Sequence, residues 1–205
     1  MLKACGLEAT RGDAVLFRGL DFSVTAGTLL RVSGPNGSGK TSLLRALCGL
    51  LLPSAGEVRW HGQNIRSLRE EYWKQLAYIG HANALKDDLT AEENLSVNCA
   101  LTGLAIPPLH LRSALEAFGL GHRARLPVRA LSQGQRRRAA LARLVLSAAA
   151  PLWILDEPFA ALDVAAVEQV QSLVAGHLAR GGMVVMTTHQ EARIAAPSVL
   201  DVRLG

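Results

Sequence analysis

The segment Gly34-Pro35-Asn36-Gly37-Ser38-Gly39-Lys40-Thr41 constrains the fold of this 205-residue chain more than any other stretch. It matches the phosphate-binding P-loop pattern G-x-x-x-x-G-K-[ST], which joins a buried strand to a helix. The apolar run 28–33 predicts that strand, and residues 42–47 have helical spacing. A glycine-rich turn can precede a helix by chance. The strand, the Lys-Thr pair and the helix in this order nevertheless favour an α/β protein that binds nucleoside phosphates.

Each residue type in this loop suits a separate part of phosphate binding. The glycines let the backbone turn so that successive amide N–H groups can surround phosphate oxygens. The helix that follows, which includes Ser42, directs its partially positive N-terminus at the same anion. Lys40 adds a full charge, and the Thr41 hydroxyl is a candidate Mg²⁺ ligand. We therefore expect residues 34–42 to bind the phosphates of a nucleotide with its Mg²⁺.

Two carboxylates at the end of another apolar run indicate chemistry at the bound phosphate. Residues 152–155 predict a buried strand, and Asp156 and Glu157 follow it directly. The carboxyl ends of strands are where an α/β sheet presents its ligand-binding groups. We expect Asp156 to hold Mg²⁺, usually through water, and Glu157 to orient or deprotonate the water that attacks the γ-phosphate. Such a pair could also simply cap a turn, but downstream of a P-loop it favours a nucleotide hydrolase.

The length of 205 residues predicts one domain, and we expect that domain to carry no membrane span of its own. Nearly half the residues are apolar and 4% are aromatic, which predicts an aliphatic core. The longest apolar run is far shorter than the ~20 residues of a membrane helix, and the N-terminus lacks the apolar segment of a signal peptide.

Cys5, Cys48 and Cys99 are expected to be reduced thiols. The net charge of +5 suits a polyphosphate or an anionic membrane surface, but the scattered basic residues do not imply nucleic acid.

The remaining patterns predict a largely parallel sheet with a helical insertion. Short strands are expected at 2–9, 20–24, 57–60, 76–79 and 183–187, with a turn at 11–13 and a break at 53–56. A helix is expected over 164–179, closed by Gly181-Gly182. Between about 85 and 148 the signals turn helical, with a capping box at Thr90-Ala91-Glu92-Glu93 and a second helix from Pro107-Pro108 to about Phe118. Alternating strands and helices imply a sheet covered on both faces.

The segment Leu131-Ser132-Gln133-Gly134-Gln135 predicts another helix start. Ser132 is a good N-cap, and Ser132-x-x-Gln135 is a capping-box pattern, so free N–H groups face whatever anion lies ahead of the helix. A plain helix cap would show the same pattern. The basic run Arg136-Arg137-Arg138 that follows is either the solvated face of the helix or a docking patch.

With the arginine run and Ala139 to Arg143, this segment resembles the signature sequence of ATP-binding cassette (ABC) ATPases, with Gln133 where glycine is commonest. Ala161-Leu162-Asp163 resembles the family's D-loop, and His189 resembles its switch histidine, which contacts the γ-phosphate. The resemblance covers essentially the whole chain. It implies ATP hydrolysis with Mg²⁺ in a head-to-tail homodimer. Each ATP is then held between one subunit's P-loop and the signature residues 132–135 of the other subunit.

The fold implied is that of an ABC nucleotide-binding domain spanning residues 1–205. It comprises a P-loop NTPase core with a parallel sheet, a small N-terminal antiparallel β subdomain and an inserted helical subdomain. The expected core covers about 1–84 and 149–205, and the helical subdomain about 85–148.

Two positions depart from the family pattern. A glutamine usually follows the strand 76–79, where it touches Mg²⁺ or the attacking water, whereas this chain has Gly80-His81-Ala82-Asn83. We expect His81 to take that place, since an imidazole can accept a hydrogen bond from a metal-bound water. Arg11 stands where an aromatic residue often stacks on adenine, and a guanidinium can stack on a base as well.

Within the family, the chain resembles the ATP-binding subunit of the bacterial cytochrome c maturation system, the so-called haem exporter. The resemblance rests on segments 16–20, 43–50, 78–81 and 89–95, although that subfamily usually has glutamine at the position of Ala82. It implies a peripheral protein on the cytoplasmic face of the inner membrane, with a small polytopic CcmB-like partner that docks near a groove at 81–95. An ATPase subunit for another cargo, a soluble ABC ATPase acting on DNA or ribosomes, and a regulator without turnover remain alternatives. Glu157 and His189 argue against the last of these.

Overall fold

The computed structural model describes residues 1–103, 105–189 and 193–205. The strands are β1 (Leu2–Arg11), β2 (Ala14–Val24), β3 (Thr28–Ser33), β4 (Ala55–Trp60), β5 (Gln63–Asn64), β6 (Leu76–Ile79), β7 (Leu152–Asp156), β8 (Met183–Thr187) and β9 (Ser198–Arg203). The helices are α1 (Lys40–Leu47), α2 (Ile65–Leu68), α3 (Glu70–Trp73), α4 (Ala91–Leu101), α5 (Pro108–Ala117), α6 (Gln133–Leu141), α7 (Arg143–Leu146) and α8 (Val164–Ala179). No helix within the described residues is both long and apolar enough to cross a membrane.

A five-stranded parallel sheet with the order β6-β7-β8-β3-β9 forms the centre of the protein, which confirms the predicted α/β class. Every residue of β7 and β8 is buried, because helices cover both faces of the sheet. Since all the strands run in one direction, the carboxyl ends of β3, β7 and β8 lie along one edge. The P-loop, the two carboxylates and Thr187 are thereby brought together.

A second sheet, antiparallel with the order β2-β1-β4-β5, carries the N-terminal segments. The prediction of short strands at 2–9 and 20–24 was wrong in its bounds, because β2 begins at Ala14 and pairs with β1 from Arg11↔Ala14 to Leu2↔Val24. The turn is therefore only Gly12-Asp13, and Arg11 ends a strand. The break expected at 53–56 is also shorter, since Ala55 already belongs to β4.

The helices between β6 and β7 all lie within the range predicted for the helical subdomain, whose exact bounds stay a prediction. The capping box at Thr90 is confirmed, because its hydroxyl accepts from the Glu93 N–H at 3.1 Å while the Glu93 carboxylate accepts from the Thr90 N–H at 2.8 Å. Leu95, Leu115 and Phe118 bury their side chains in the same core cluster as one face of the parallel sheet. The helical insertion is thus packed onto the sheet.

Helix α8 has the predicted bounds and ends before Gly181, whose φ is 86°. On its inner face the His177 ring stacks on Trp153, with 3.9 Å between ring centroids and 5° between planes. Burial, with Arg180 nearby, lowers the pKa of His177 to about 4. The imidazole is therefore neutral in the folded protein at pH 7.

Candidate active site

A cleft of about 320 Å³ lies at the carboxyl edge of the parallel sheet. It collects most of the residues that the sequence singled out, although they come from five separate segments. The cleft is lined by Arg11, Leu16, Asn36, Gly37, Gly39, Lys40, Thr41, Ser42, His81, Asp156, Glu157 and His189.

The P-loop backbone has a shape that only glycine permits at two points. Gly34 has φ 145°, and a Cβ there would lie 2.4 Å from the Leu204 carbonyl oxygen. Gly39, at φ 94°, is the N-cap of α1 and supplies no side-chain cap. The first backbone N–H within α1 that finds a helical acceptor is that of Leu43, which donates to Gly39. The N–H groups of residues 40–42 have no acceptor within residues 1–103, 105–189 and 193–205, and can bind an anion at the helix N-terminus.

Lys40 is nearly buried and lies against the loop that precedes it. Its Nζ donates to the carbonyl oxygens of Gly34 at 2.8 Å and Pro35 at 3.0 Å. Because an ammonium group has three N–H donors, one remains for a phosphate oxygen. The Ser38 hydroxyl is buried without a hydrogen-bond partner among the described residues, which leaves a further polar group in the loop to be satisfied.

Asp156 is held by two hydroxyl groups. Thr41 Oγ1 donates to its Oδ2 at 2.8 Å, and Thr187 Oγ1 donates to its Oδ1 at 2.8 Å. The carboxylate is 2% exposed, so these bonds fix it with little competition from water. Hydroxyl and carboxylate oxygens side by side are the ligand type that Mg²⁺ prefers, so Thr41 and Asp156 fit the expected metal.

Glu157 has an unusual backbone conformation, and its side chain is 18% exposed although its Oε1 atom is buried. Its φ is 48°, in the left-handed region that residues other than glycine rarely adopt. Its N–H donates to Thr187 Oγ1 at 2.9 Å. His189 approaches the carboxylate twice, with its Nε2 3.3 Å from Oε1 and its backbone N–H 3.3 Å from Oε2. Glu157 and His189 therefore form a pair at the cleft wall.

Thr187, which was not among the predicted site residues, bonds to both carboxylate residues. Its hydroxyl accepts from the Glu157 N–H and donates to the Asp156 carboxylate, and its side chain is fully buried. The only sequence signal was a polar residue at the end of an otherwise apolar strand. Its partners become visible only when β7 and β8 are paired, which sets Asp156 opposite Thr187.

The signature residues lie outside the cleft lining. The capping box is confirmed, because Ser132 Oγ accepts from the Gln135 N–H at 3.3 Å while Gln135 Oε1 accepts from the Ser132 N–H at 2.9 Å. Gln133 is exposed, and a Cβ on Gly134 would lie 2.9 Å from the Ala161 carbonyl oxygen. The start of α6 therefore packs against the segment that resembles a D-loop.

Asp163 caps α8 in this structure, since its carboxylate accepts from the Ala166 N–H at 2.9 Å. Asp163 does not line the cleft, and neither do the P-loop residues Gly34, Pro35 and Ser38.

The two departures from the family pattern, Arg11 and His81, both reach the cleft and are both exposed. Ala82, next to His81, instead lines a neighbouring groove of about 340 Å³ between the sheet and the helical insertion. This groove is bordered by residues 79–85 and by Leu95. It overlaps the docking groove predicted near residues 81–95 at 81–85 and at Leu95, and the docking role stays a prediction.

Both interpretations of Arg136-Arg137-Arg138, the solvated face of a helix and a docking patch, were wrong for its middle member. Arg137 is 3% exposed and donates to backbone carbonyl oxygens next to the carboxylates. Those acceptors lie in segments far away in sequence, so the basic run itself gave no sign of burial.

Comparisons with known proteins agree with this geometry. The model of the family described as "ABC transporter" matches residues 17–160. A cytochrome c biogenesis ATP-binding export protein CcmA from Dechloromonas aromatica is 52% identical over 205 residues, covering 100% of both chains. A protein of the same name from Nitrosospira multiformis is 51% identical over 203 residues, covering 99% of this chain and 98% of its own. A dimeric ATP-binding cassette, solved in a post-hydrolysis state with ADP and Pi, has a TM-score of 0.86 at 23% identity and covers 100% of this chain and 96% of its own.

Proposed function

Since this chain belongs to the ABC transporter ATP-binding family, and within it to the CcmA proteins of cytochrome c biogenesis, we propose that it hydrolyses ATP to drive an export complex for that pathway. The observation that carries this proposal is the cleft itself. One wall offers free helix N–H groups and Lys40 for phosphates, and the other offers Asp156, Glu157 and His189.

The phosphates of ATP bind to the P-loop in this proposal. The N–H groups of residues 40–42 and the third donor of Lys40 take the β- and γ-phosphate oxygens. Thr41 and Asp156 would hold Mg²⁺, and the ion would supply positive charge beside the phosphate oxygens. Thr187 keeps the Asp156 carboxylate oriented toward this position.

Glu157 acts as the general base for the attacking water. It accepts the proton of the water as the oxygen bonds to the γ-phosphorus, while the bond from that phosphorus to the β-phosphate oxygen breaks to give ADP and phosphate. His189, 3.3 Å from the carboxylate, is placed to contact the γ-phosphate and to keep Glu157 oriented. His81 lines the same cleft and takes the place of the glutamine usual in the family, and Arg11 offers a planar group for the base.

A second copy of the chain completes the site. The signature residues 132–135 lie outside the cleft of their own subunit. The capping box at the start of their helix uses the N–H groups of Ser132 and Gln135 but not those of Gln133 and Gly134. In a head-to-tail dimer these groups bind the γ-phosphate of the other subunit's ATP, with Asp163 near the interface. ATP binding then closes the dimer and hydrolysis opens it.

The mechanical output requires a membrane-embedded partner, because an ATP-binding subunit moves nothing across a bilayer alone. The partner is a small polytopic CcmB-like subunit, and the groove bordered by residues 79–85 and Leu95 receives it. The chain accordingly works as a peripheral protein on the cytoplasmic face of the inner membrane. The names of the relatives specify export for cytochrome c biogenesis, which favours that pathway over another one, and haem handling is the task that we propose within it.

Gentle detergent extraction of the tagged protein from its host tests this assignment. We expect a small polytopic membrane protein and cytochrome c maturation factors to co-purify, and the wild-type gene to restore c-type cytochromes in a deletion strain where Glu157→Gln does not. Recovery of an unrelated permease or of ribosomal proteins, with normal c-type cytochromes in the deletion strain, would refute the pathway assignment.

A further inference from the structure

The Arg137 side chain joins three segments that meet behind the catalytic carboxylates. Its Nη1 donates to the carbonyl oxygen of Gly80 at 3.0 Å and to Asn83 Oδ1 at 3.2 Å. Its Nη2 donates to the carbonyl oxygens of Asp156 at 2.9 Å and Glu157 at 2.7 Å. One guanidinium on α6 therefore ties that helix to the loop after β6 and to the end of β7.

This arrangement is unusual because a buried cation has no carboxylate bonded to it. Across the described ranges, no ion pair includes Arg137, although the side chain is 3% exposed. Burial lowers the pKa of Arg137, and the nearby carboxylates of Asp156 and Glu157 oppose that shift. A planar fork with several donors can satisfy four oxygens at once, which a lysine ammonium cannot do in the same geometry.

The contacts also define where the proposed general base lies. Glu157 adopts a left-handed backbone conformation that costs free energy unless its surroundings hold it in place. Thr187 bonds to its N–H, and Arg137 bonds to its carbonyl oxygen and to that of the preceding residue. The N–H group of Glu157 is thus bonded to a residue of β8, and its carbonyl oxygen is bonded to a residue of α6.

Helix α6 is the element whose N-terminal residues 132–135 would face the ATP of a second subunit. Arg137 lies one turn farther along that helix, and its donors reach the carbonyl oxygens behind Glu157. A rotation of α6 relative to the sheet would therefore pull on the backbone of the base. The same guanidinium contacts Gly80 and Asn83, which border the groove beside the helical insertion.

We propose that Arg137 is a positioning residue for ATP hydrolysis, which makes the placement of Glu157 depend on the orientation of α6. This inference rests on the proposed ATPase function. It predicts that loss of Arg137 slows the chemical step while leaving ATP binding at the P-loop intact, because no P-loop residue is among its hydrogen-bond partners.

Arg137→Gln and Arg137→Lys in the full-length chain test the proposal, with Arg138→Gln as the matched control. Arg138 is the next residue on the same helix, is only half-buried, and donates to none of the oxygens that Arg137 binds among the described residues. The measurements are kcat for Mg²⁺-ATP, the Kd for ATP in the presence of a chelator, and thermal unfolding. Phosphate release is followed beside Glu157→Gln.

We expect Arg137→Gln to lower kcat by about ten- to a hundred-fold, the size of effect that follows from misplacing a catalytic group by about 1 Å. The Kd for ATP should stay within about twofold, Arg137→Lys should lose less kcat than the glutamine variant, and Arg138→Gln should match the wild type. If Arg137→Gln does not fold, the folded lysine variant decides the outcome by its kcat.

Equal kcat values for the Arg137 and Arg138 variants would overturn the inference, and so would a loss of ATP binding in parallel with kcat. If the wild type hydrolyses ATP and Glu157→Gln does not, either result leaves the proposed function standing. A wild-type protein that releases no phosphate, or a Glu157→Gln variant as fast as the wild type, would instead refute the proposed catalytic function itself.

Discussion

Replacing Thr187 by valine removes the hydroxyl group that joins the two carboxylate residues proposed for catalysis, while keeping the shape of the side chain. The hydroxyl accepts from the Glu157 N–H at 2.9 Å and donates to Asp156 Oδ1 at 2.8 Å, in a position with no exposed surface. Each polar partner left unsatisfied in such a place costs about 1–3 kcal/mol. The methyl group gained by valine offsets about 1 kcal/mol of this loss.

We therefore expect Thr187→Val to lower the free energy of unfolding by about 3 kcal/mol, which corresponds to a fall in Tm of about 6–12 °C for a domain of this size. Thr187→Ser keeps the hydroxyl group and loses one buried methyl, so it should cost only about 1 kcal/mol. Urea unfolding of the three proteins gives these values, and ATP turnover should fall in the valine variant more than in the serine variant. A valine variant as stable as the wild type, or more stable than the serine variant, would contradict the reasoning.

Three further predictions concern other parts of the chain. The pKa of His177 is about 4 in the folded protein, against an ordinary value near 6.5. The contribution of the neutral imidazole to the free energy of unfolding is therefore complete above pH 6.5 and decreases as the pH falls toward 4. Between pH 7 and 5 the free energy of unfolding of the wild type should drop by about 2 kcal/mol more than that of His177→Phe. Urea unfolding at both pH values measures the two drops, and equal drops would show that His177 does not cause the pH dependence. Gly134→Ala would place a Cβ 2.9 Å from the Ala161 carbonyl oxygen, so it should slow phosphate release several-fold without preventing ATP binding, and an unchanged rate would show that this contact is unimportant. His81→Ala should lower kcat while His81→Gln retains most of it, since either hydrogen-bonding side chain can reach the attacking water; an unchanged rate in the alanine variant would remove His81 from the mechanism.

Local patterns in the sequence were sufficient to predict the strands and helices that bury a continuous apolar face. Strands β7 and β8 are buried at every position, so their apolar runs were readable without their neighbours. Helix α8 was bounded correctly because Asp163 caps its start and Gly181 follows its end. The edge strand β9 was missed because it is mostly exposed, and its pairing with β3 includes an Arg31–Asp201 ion pair at 2.8 Å in place of an apolar pattern.

The candidate site also contains some residues that the sequence could predict and others that it could not. The P-loop and the two carboxylates could be predicted because each is a contiguous motif with its own chemistry. Thr187 and Arg137 could not, because their roles depend on which strands and loops lie beside them. A charged run in a sequence normally predicts exposure, and Arg137 is buried only because carbonyl oxygens of the segments after β6 and β7 converge on it.

The most direct test of the central claim is the rate of phosphate release from Mg²⁺-ATP by the wild-type chain and by Glu157→Gln, measured side by side with the Kd for ATP. If Glu157 is the general base of an ATPase, the wild type releases phosphate, and Glu157→Gln is slower by about a hundred-fold or more while binding ATP as tightly. Equal rates in the two proteins would contradict the assignment of this cleft as the catalytic site, and no phosphate release from either would contradict the ATPase function.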